Sequence, residues 1–353
     1  MEPMPQPTSS LPALALAAAL LGPAIPARAA ERVDVPVHLT VLPDGDPRYS
    51  VPVTVGGGPP VEAELDTGSF GLRVLKGALE PGRYQATTQH RSYAFGGGAK
   101  FDGVLARAVV GIGPALTGAP VLFHLVERVA CAEGRPECAA AKVKPEDYRI
   151  AGDGIPGQGF QAILGLSLRR AASDDSAQNP LTAAGPRSWI LTLPRPGSAE
   201  PGHLIIDPDE TDRAGFALVK LSPQADLSSH LAGWADAALA GCLVEDGGER
   251  FCGRTLLDSG APGLSVATDT VGGPKPWGAG RKARIEIGGA DGPLSVPFTS
   301  GADYASRVLL HPRRGPEGSA EISVGSLPYL SYAVLYDAEA GTMGFKRRDP
   351  AGP

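Results

Sequence analysis

The chain has 353 residues, among them 47 glycines and 35 prolines, with 42% apolar residues and a net charge of −6 at pH 7. So many turn formers exclude a helical bundle and predict many short strands joined by tight turns, because glycine supplies positive φ and proline pre-sets turn geometry. The apolar content excludes a disordered chain, and a mild charge without runs gives no reason to expect nucleic acid or an anionic membrane as partner.

Residues 1–29 read as an export signal. An apolar, Ala-rich run at 11–21 precedes Gly22-Pro23, and Ala27-Arg28-Ala29 has the small-x-small form of a cleavage site. The stretch before the run departs from the usual pattern, carrying Glu2 and no Lys or Arg. The run is short for a membrane anchor, no Cys follows it for lipid attachment, and no later segment predicts a membrane span. An exported protein, periplasmic or secreted and monomeric, is the expectation.

From residue 33 the pattern is strand and turn. Residues 33–42 alternate with period two, and 49–55 and 61–65 flank Gly56-Gly57-Gly58-Pro59-Pro60 as a hairpin. Further short strands are predicted at 106–112, 163–166, 190–193 and 203–206. Helical periodicity is weak, with candidates at 227–240 and a turn or two at 327–330. Residues 170–187 are small and polar and contain Asn179-Pro180 and Gly185-Pro186. They predict either the boundary between an N-terminal lobe, 30–186, and a C-terminal lobe, 187–353, or a long surface loop within one lobe.

The four cysteines form two local pairs, Cys131 with Cys138 and Cys242 with Cys252. Two short-range disulfides made in an oxidising compartment fit this spacing, with buried free thiols as the plain alternative. The spacing does not suit zinc, and no metal or other cofactor is expected.

A weak long-range repeat matters more than any single motif. Glu64-Leu65-Asp66-Thr67-Gly68-Ser69 is followed by Ala162-Ile163-Leu164-Gly165, and Leu256-Leu257-Asp258-Ser259-Gly260-Ala261 by Glu321-Ile322-Ser323-Val324-Gly325. Each half has an Asp-Thr/Ser-Gly turn behind an apolar residue and, later, an apolar stretch ending in glycine. Gly68 and Gly260 would let the backbone approach the carboxylates, and Thr67 and Ser259 would tie the two turns together. Two such turns face to face hold two carboxylates about 3 Å apart, where both cannot ionise. They share a proton and hold a water, which the charged carboxylate deprotonates while the neutral one donates to a scissile carbonyl. The dyad titrates as a unit.

With these motifs the chain resembles the pepsin-like aspartic peptidases over most of its mature length, in a bacterial-type form without a propeptide. The two Asp residues lie 192 positions apart. Trp189-Ile190-Leu191-Thr192-Leu193 with Gly202-His203-Leu204-Ile205-Ile206-Asp207-Pro208 is similar to the family's crossing between lobes. Val324-Gly325-Ser326-Leu327-Pro328-Tyr329-Leu330, Tyr332, Val334-Leu335-Tyr336-Asp337 and Gly344-Phe345 resemble its C-terminal block. The resemblance implies an all-β bilobal fold with a cleft between pseudo-twofold-related lobes. It also implies an endopeptidase with Asp66 and Asp258 as its catalytic pair, and a polypeptide substrate bound as an extended strand. It further implies a disulfide-closed hairpin at Cys242–Cys252 and a β-hairpin flap at Ser92-Tyr93-Ala94-Phe95-Gly96-Gly97-Gly98. Tyr93 is favoured as the flap aromatic for its hydroxyl, although Phe95 fits the spacing almost as well.

Two departures carry expectations. Ala261 stands where many members have Ser or Thr, whereas the first turn keeps Ser69; a missing hydroxyl would raise the dyad's upper pKa and extend activity toward neutral pH. Retroviral relatives carry Asp-Thr-Gly-Ala, so Ala261 does not imply inactivity. Only about 36 residues separate the expected cleavage point from Asp66, which leaves no room for a basic inhibitory pro-segment. The alternatives are a catalytically silent binding or inhibitor module on the same fold, and an actin-like or sugar-kinase phosphotransferase, which would need long βα units. No Gly-x-Ser-x-Gly, His-Glu-x-x-His or P-loop motif is present.

Overall fold

Alternation in the sequence becomes alternation in space. In Val33–Val41 the residues Val35 and Val37 are fully buried while their neighbours Asp34 and Pro36 are exposed, as a strand with one face on a core requires. The computed structural model describes residues 31–171, 175–183, 187–224, 233–313 and 318–349, and over these the chain is nearly all β, in two sheets. The expected signal segment lies outside the described residues.

The larger sheet runs, edge to edge, through Ala217–Lys220, Thr342–Arg347, Tyr332–Asp337, Ser188–Thr192, Gly202–Ile206, Val33–Val41, Pro47–Val55, Val61–Asp66, Ala162–Leu166, Phe70–Leu75, Val121–Cys131, Ala99–Ala108 and Gln85–Ala94. The smaller draws all its strands from Leu239–Glu245 to Ala320–Ser323. Strands on both sides of residue 187 therefore share the larger sheet, with Val33–Val41 pairing antiparallel to Gly202–Ile206.

The repeat read in the sequence is a repeat of topology. Ala162–Leu166 lies parallel to Val61–Asp66 and antiparallel to Phe70–Leu75. Ala320–Ser323 lies parallel to Arg250–Leu256 and antiparallel to Leu264–Thr268. In each half the later apolar stretch thus slots between the strand that leads into the Asp turn and the strand that leaves it. Gly165 stands opposite Asp66, where an added Cβ would meet the Phe70 backbone at 2.6 Å.

The hairpin expected around residues 56–60 forms between Pro47–Val55 and Val61–Asp66. The strand expected over 106–112 is instead two, because the chain changes partner at Val109. Ala99–Ala108 pairs with Val121–Cys131, Val110–Ile112 pairs with Pro47–Val55, and the Val109 carbonyl between them accepts from Gly56. The short helix Leu327–Ser331 answers the 327–330 reading.

The helix expected over 227–240 is corrected in its described part, 233–240, which is bridge, turn and the start of Leu239–Glu245. Two anchors hold that segment out of a helix. The Trp234 amide donates to Leu168 O and its indole to Ala338 O at 2.7 Å. The buried Asp236 carboxylate accepts from Ser167, Leu168 and Arg169. The core centres on large, fully buried side chains, with Trp189 stacked on Tyr336 at 5.7 Å between ring centroids.

Candidate active site

The two Asp turns interlock through their hydroxyl residues. The Thr67 amide donates to Ser259 Oγ at 3.1 Å and the Ser259 amide to Thr67 Oγ1 at 2.9 Å. Each hydroxyl then donates to the carbonyl before the opposite Asp, Thr67 to Leu257 at 2.9 Å and Ser259 to Leu65 at 2.7 Å. Thr67 Oγ1 also bonds the Tyr329 hydroxyl at 2.8 Å. Its one proton and both lone pairs are then used, Tyr329 being the donor.

This interlock brings Asp66 and Asp258 together. Each carboxylate packs on the opposite glycine: an added Cβ at Gly68 would lie 2.4 Å from Asp258, and one at Gly260 would lie 2.8 Å from Asp66. Only glycine allows that approach.

Their donors differ. Asp66 Oδ1 accepts from the Gly68 amide at 2.8 Å and the Ser69 amide at 3.1 Å. Asp258 Oδ2 accepts from the Ser323 hydroxyl at 3.3 Å. Amides that favour the charged form are richer at Asp66. Enclosure of its carboxyl, and then the neighbouring Asp66, push Asp258 up to about 7.

The direction expected from Ala261 is thus found with a different leading cause. The Ser69 hydroxyl itself makes no hydrogen bond, so its counterpart's absence at Ala261 removes little. Ser323, from the strand inserted beside the second turn, supplies a hydroxyl instead.

Two arginines brace the turns from behind. Arg169 Nη2 donates to Gly68 O at 2.5 Å, and its Nε lies 2.9 Å from Asp236. Arg48 Nη1 donates to Gly260 O at 3.0 Å and sits among Asp46 at 2.6 Å, Asp153 at 2.9 Å and Glu64 at 3.7 Å. The Gly68 carbonyl and the Ser69 amide belong to one peptide unit, so a cation on that oxygen strengthens the amide's bond to Asp66. Glu64 is buried two residues before Asp66, on the same face of its strand. Burial holds it well above the usual carboxylate range, and Asp46 is raised to about 7 for the same reason.

The aspartic proteinase from Irpex lacteus shares this architecture with a TM-score of 0.54, over 90% of this chain and 98% of its own, at 13% sequence identity. No family model and no curated protein matches the sequence. The fold is the bilobal pepsin-like fold.

Within this pepsin-like frame, Gln85–Ala94 and Ala99–Ala108 form the expected hairpin, with Phe95 and Gly98 closing its turn. Its two aromatics meet edge to face, with ring centroids 4.8 Å apart, and differ in their other neighbours. Tyr93 faces the first Asp turn, edge-on to Phe70 at 6.5 Å and with the Arg73 guanidinium 3.7 Å from its ring centroid. Phe95 packs on Phe101 at 5.0 Å, in a satellite cluster with Tyr148 and Ile163. Both cysteine pairs are disulfides, Cys131–Cys138 and Cys242–Cys252. The second ties Leu239–Glu245 to Arg250–Leu256, directly before Asp258. No group of three His, Cys, Asp or Glu among the described residues is placed to hold a metal ion.

Sequence reading missed Ser323, Tyr329, Arg48, Arg169 and Glu64 as parts of the site. Glu64 left only a weak signal, because Glu62 and Glu64 both stand on the strand face of Asp66 and only the fold buries Glu64. Arg48 and Arg169 left none, because the carbonyls they hold are distant in the chain or on turns whose direction the sequence does not display.

Proposed function

We propose that the protein is an aspartic endopeptidase in which Asp66 and Asp258 activate a water for direct attack on a peptide carbonyl. The observation that carries this reading is the mutual hydrogen bonding of the two turns, which sets each carboxyl against the glycine of the opposite turn. In the resting dyad Asp66, with two amide donors, holds the charge and Asp258 holds the shared proton. Asp66 then takes a proton from the water while Asp258 donates to the carbonyl oxygen, and no covalent intermediate forms. Substrate lies extended across the cleft between lobes 30–186 and 187–353, with the hairpin bearing Tyr93 as its flap. The two disulfides support export to an oxidising compartment, periplasmic or extracellular, and the working unit is a monomer. No described helix is long and apolar enough to cross a membrane.

The deciding test is turnover of a denatured protein between pH 4 and 7, with and without a statine-type inhibitor. Inhibition is expected, and Asp66→Asn or Asp258→Asn should each lower kcat by about 10³-fold or more. Undiminished turnover in both variants would sink the assignment. A folded wild type that binds the inhibitor but cleaves nothing would favour a silent binding module instead.

A further inference from the structure

Arg73 is the misfit on the strand that leaves the first Asp turn. Phe70–Leu75 is otherwise apolar, and Arg73 is 2% exposed within it. Its Nη1 donates to the carbonyls of Phe70 at 2.8 Å and Gly71 at 3.3 Å, and its Nε has no partner. Among the described residues no carboxylate forms an ion pair with it. Two neutral carbonyls, an aromatic face and the charge of Asp66, which forms no ion pair with it, are all that offset the cost of burying this guanidinium, and an aliphatic side chain would fill the place at less cost.

His124 lies beside it. Arg73 and His124 are matched in register on the parallel strands Phe70–Leu75 and Val121–Cys131, so both side chains stand on one face of the sheet. His124 is also 2% exposed, and its Nε2 also has no partner. Burial and the Arg73 charge together push it down to about 4. Two adjacent buried nitrogen groups thus lack a partner in the same place.

The place is next to the dyad and under the hairpin tip. The carbonyl that Arg73 holds belongs to Phe70, four residues after Asp66. Tyr93 and Phe95 cover the guanidinium at 3.7 and 5.5 Å. Beyond them Gly96 and Gly97 are exposed, and a Cβ on either would meet nothing. Access to the guanidinium requires that tip to lift, which breaks the Ala132 amide's bond to Gly98 O and the Phe95–Phe101 contact.

We propose that Arg73, with His124 beside it, forms a subsite for a substrate carboxylate, so that the enzyme prefers peptides with Asp or Glu close to the scissile bond. This rests on the peptidase reading. A planar guanidinium pairs with a carboxylate through two parallel hydrogen bonds, which an amide of the same shape does not reproduce. The arriving anion supplies the missing partner, and the tip closes over the pair, where a dry environment strengthens it.

The test is a set of fluorogenic peptides that differ at one position at a time, carrying Glu, Gln, Leu or Lys on either side of the scissile bond. Each is made as free acid and as C-terminal amide. At one subsite Glu should exceed Gln in kcat/KM by about 10-fold or more. In Arg73→Met that ratio should fall to near one, and Arg73→Lys should restore part of it. A free-acid preference that Arg73→Met abolishes would also support the subsite, and would assign its carboxylate to a chain terminus. No discrimination at any position, or discrimination that survives Arg73→Met, overturns the proposal. So does an equal loss over all peptides with a displaced acid limb, which would make Arg73 a positioning residue for the charge on Asp66.

If wild type cleaves none of them, the peptidase reading fails on its own. The subsite is then read from anisotropy of labelled Glu and Gln peptides on wild type and Arg73→Met. If Arg73→Met loses its cooperative unfolding transition, Arg73→Lys and His124→Phe carry the comparison, each with a reduced Glu-to-Gln ratio.

Discussion

At the scale of single residues the dyad is unequal, and the inequality has named sources. Two amides serve Asp66, whereas Asp258 leans on the Ser323 hydroxyl at 3.3 Å. Removing the Ser323 hydroxyl takes away a bond that favours ionised Asp258. In Ser323→Ala the alkaline limb of the kcat/KM profile, expected near the Asp258 value of about 7, should move to higher pH. The acid limb should stay in place and kcat should change by less than about tenfold. A downward move would show that Ser323 does not serve the charged form. Arg169 acts on the other partner, through the Gly68–Ser69 peptide. Arg169→Met should lower kcat about tenfold by loosening the Ser69 amide's bond to Asp66, while Arg169→Lys should restore part of it. Unchanged kcat, with only a lower unfolding midpoint, would reduce Arg169 to a structural brace between Gly68 and Asp236.

At the scale of elements, the interlock joins two turns that are 192 positions apart in the chain, and its two hydroxyls are not equivalent. Thr67 Oγ1 meets the Ser259 amide, the Leu257 carbonyl and the Tyr329 hydroxyl, whereas Ser259 Oγ meets only the Thr67 amide and the Leu65 carbonyl. Thr67→Ala breaks one more buried hydrogen bond than Ser259→Ala, and leaves the Tyr329 hydroxyl with Tyr336 as its partner. It should cost about 3 kcal/mol against about 2 kcal/mol in urea unfolding, and the reverse order would contradict this geometry. The pairing of these elements was legible because its signals are local. Asp-Thr-Gly and Asp-Ser-Gly each sit on a strand end, and each later apolar-Gly stretch has a composition of its own. The bracing was not legible. Arg48 and Arg169 reach the Gly260 and Gly68 carbonyls only through the fold, across 212 and 101 positions of chain. Residues 233–240, the described part of the expected helix, were misread because their apolar spacing says nothing of Asp236, whose burial depends on Ser167 and Arg169 arriving from 67–69 residues away.

At the scale of the whole molecule, buried carboxyls set the direction in which pH moves stability. Asp46 and Asp258 are raised from 3.8 to about 7, and Glu64 and Asp236 are raised as well, burial leading in every case. Between pH 4 and 7 the native state therefore holds protons that the unfolded chain has released, and stability falls as pH rises through that window. His124 opposes the trend. Lowered from 6.5 to about 4, it leaves the unfolded chain the better proton binder over pH 4–6.5, which adds stability as pH rises. The carboxyls outnumber it by at least one net proton, worth about 1.4 kcal/mol per pH unit. Exposed carboxylates held low by partners, such as Asp212 beside Arg32, pull the other way only below about pH 4. Urea midpoints should therefore be highest near pH 4–5 and fall steadily toward pH 7. Asp46→Asn, which removes one of the titrating groups while keeping its shape beside Arg48, should flatten that fall. A midpoint that rises from pH 5 to 7 would mean that these carboxyls ionise freely in the native state, and the proton assigned to Asp258 in the resting dyad would go with them.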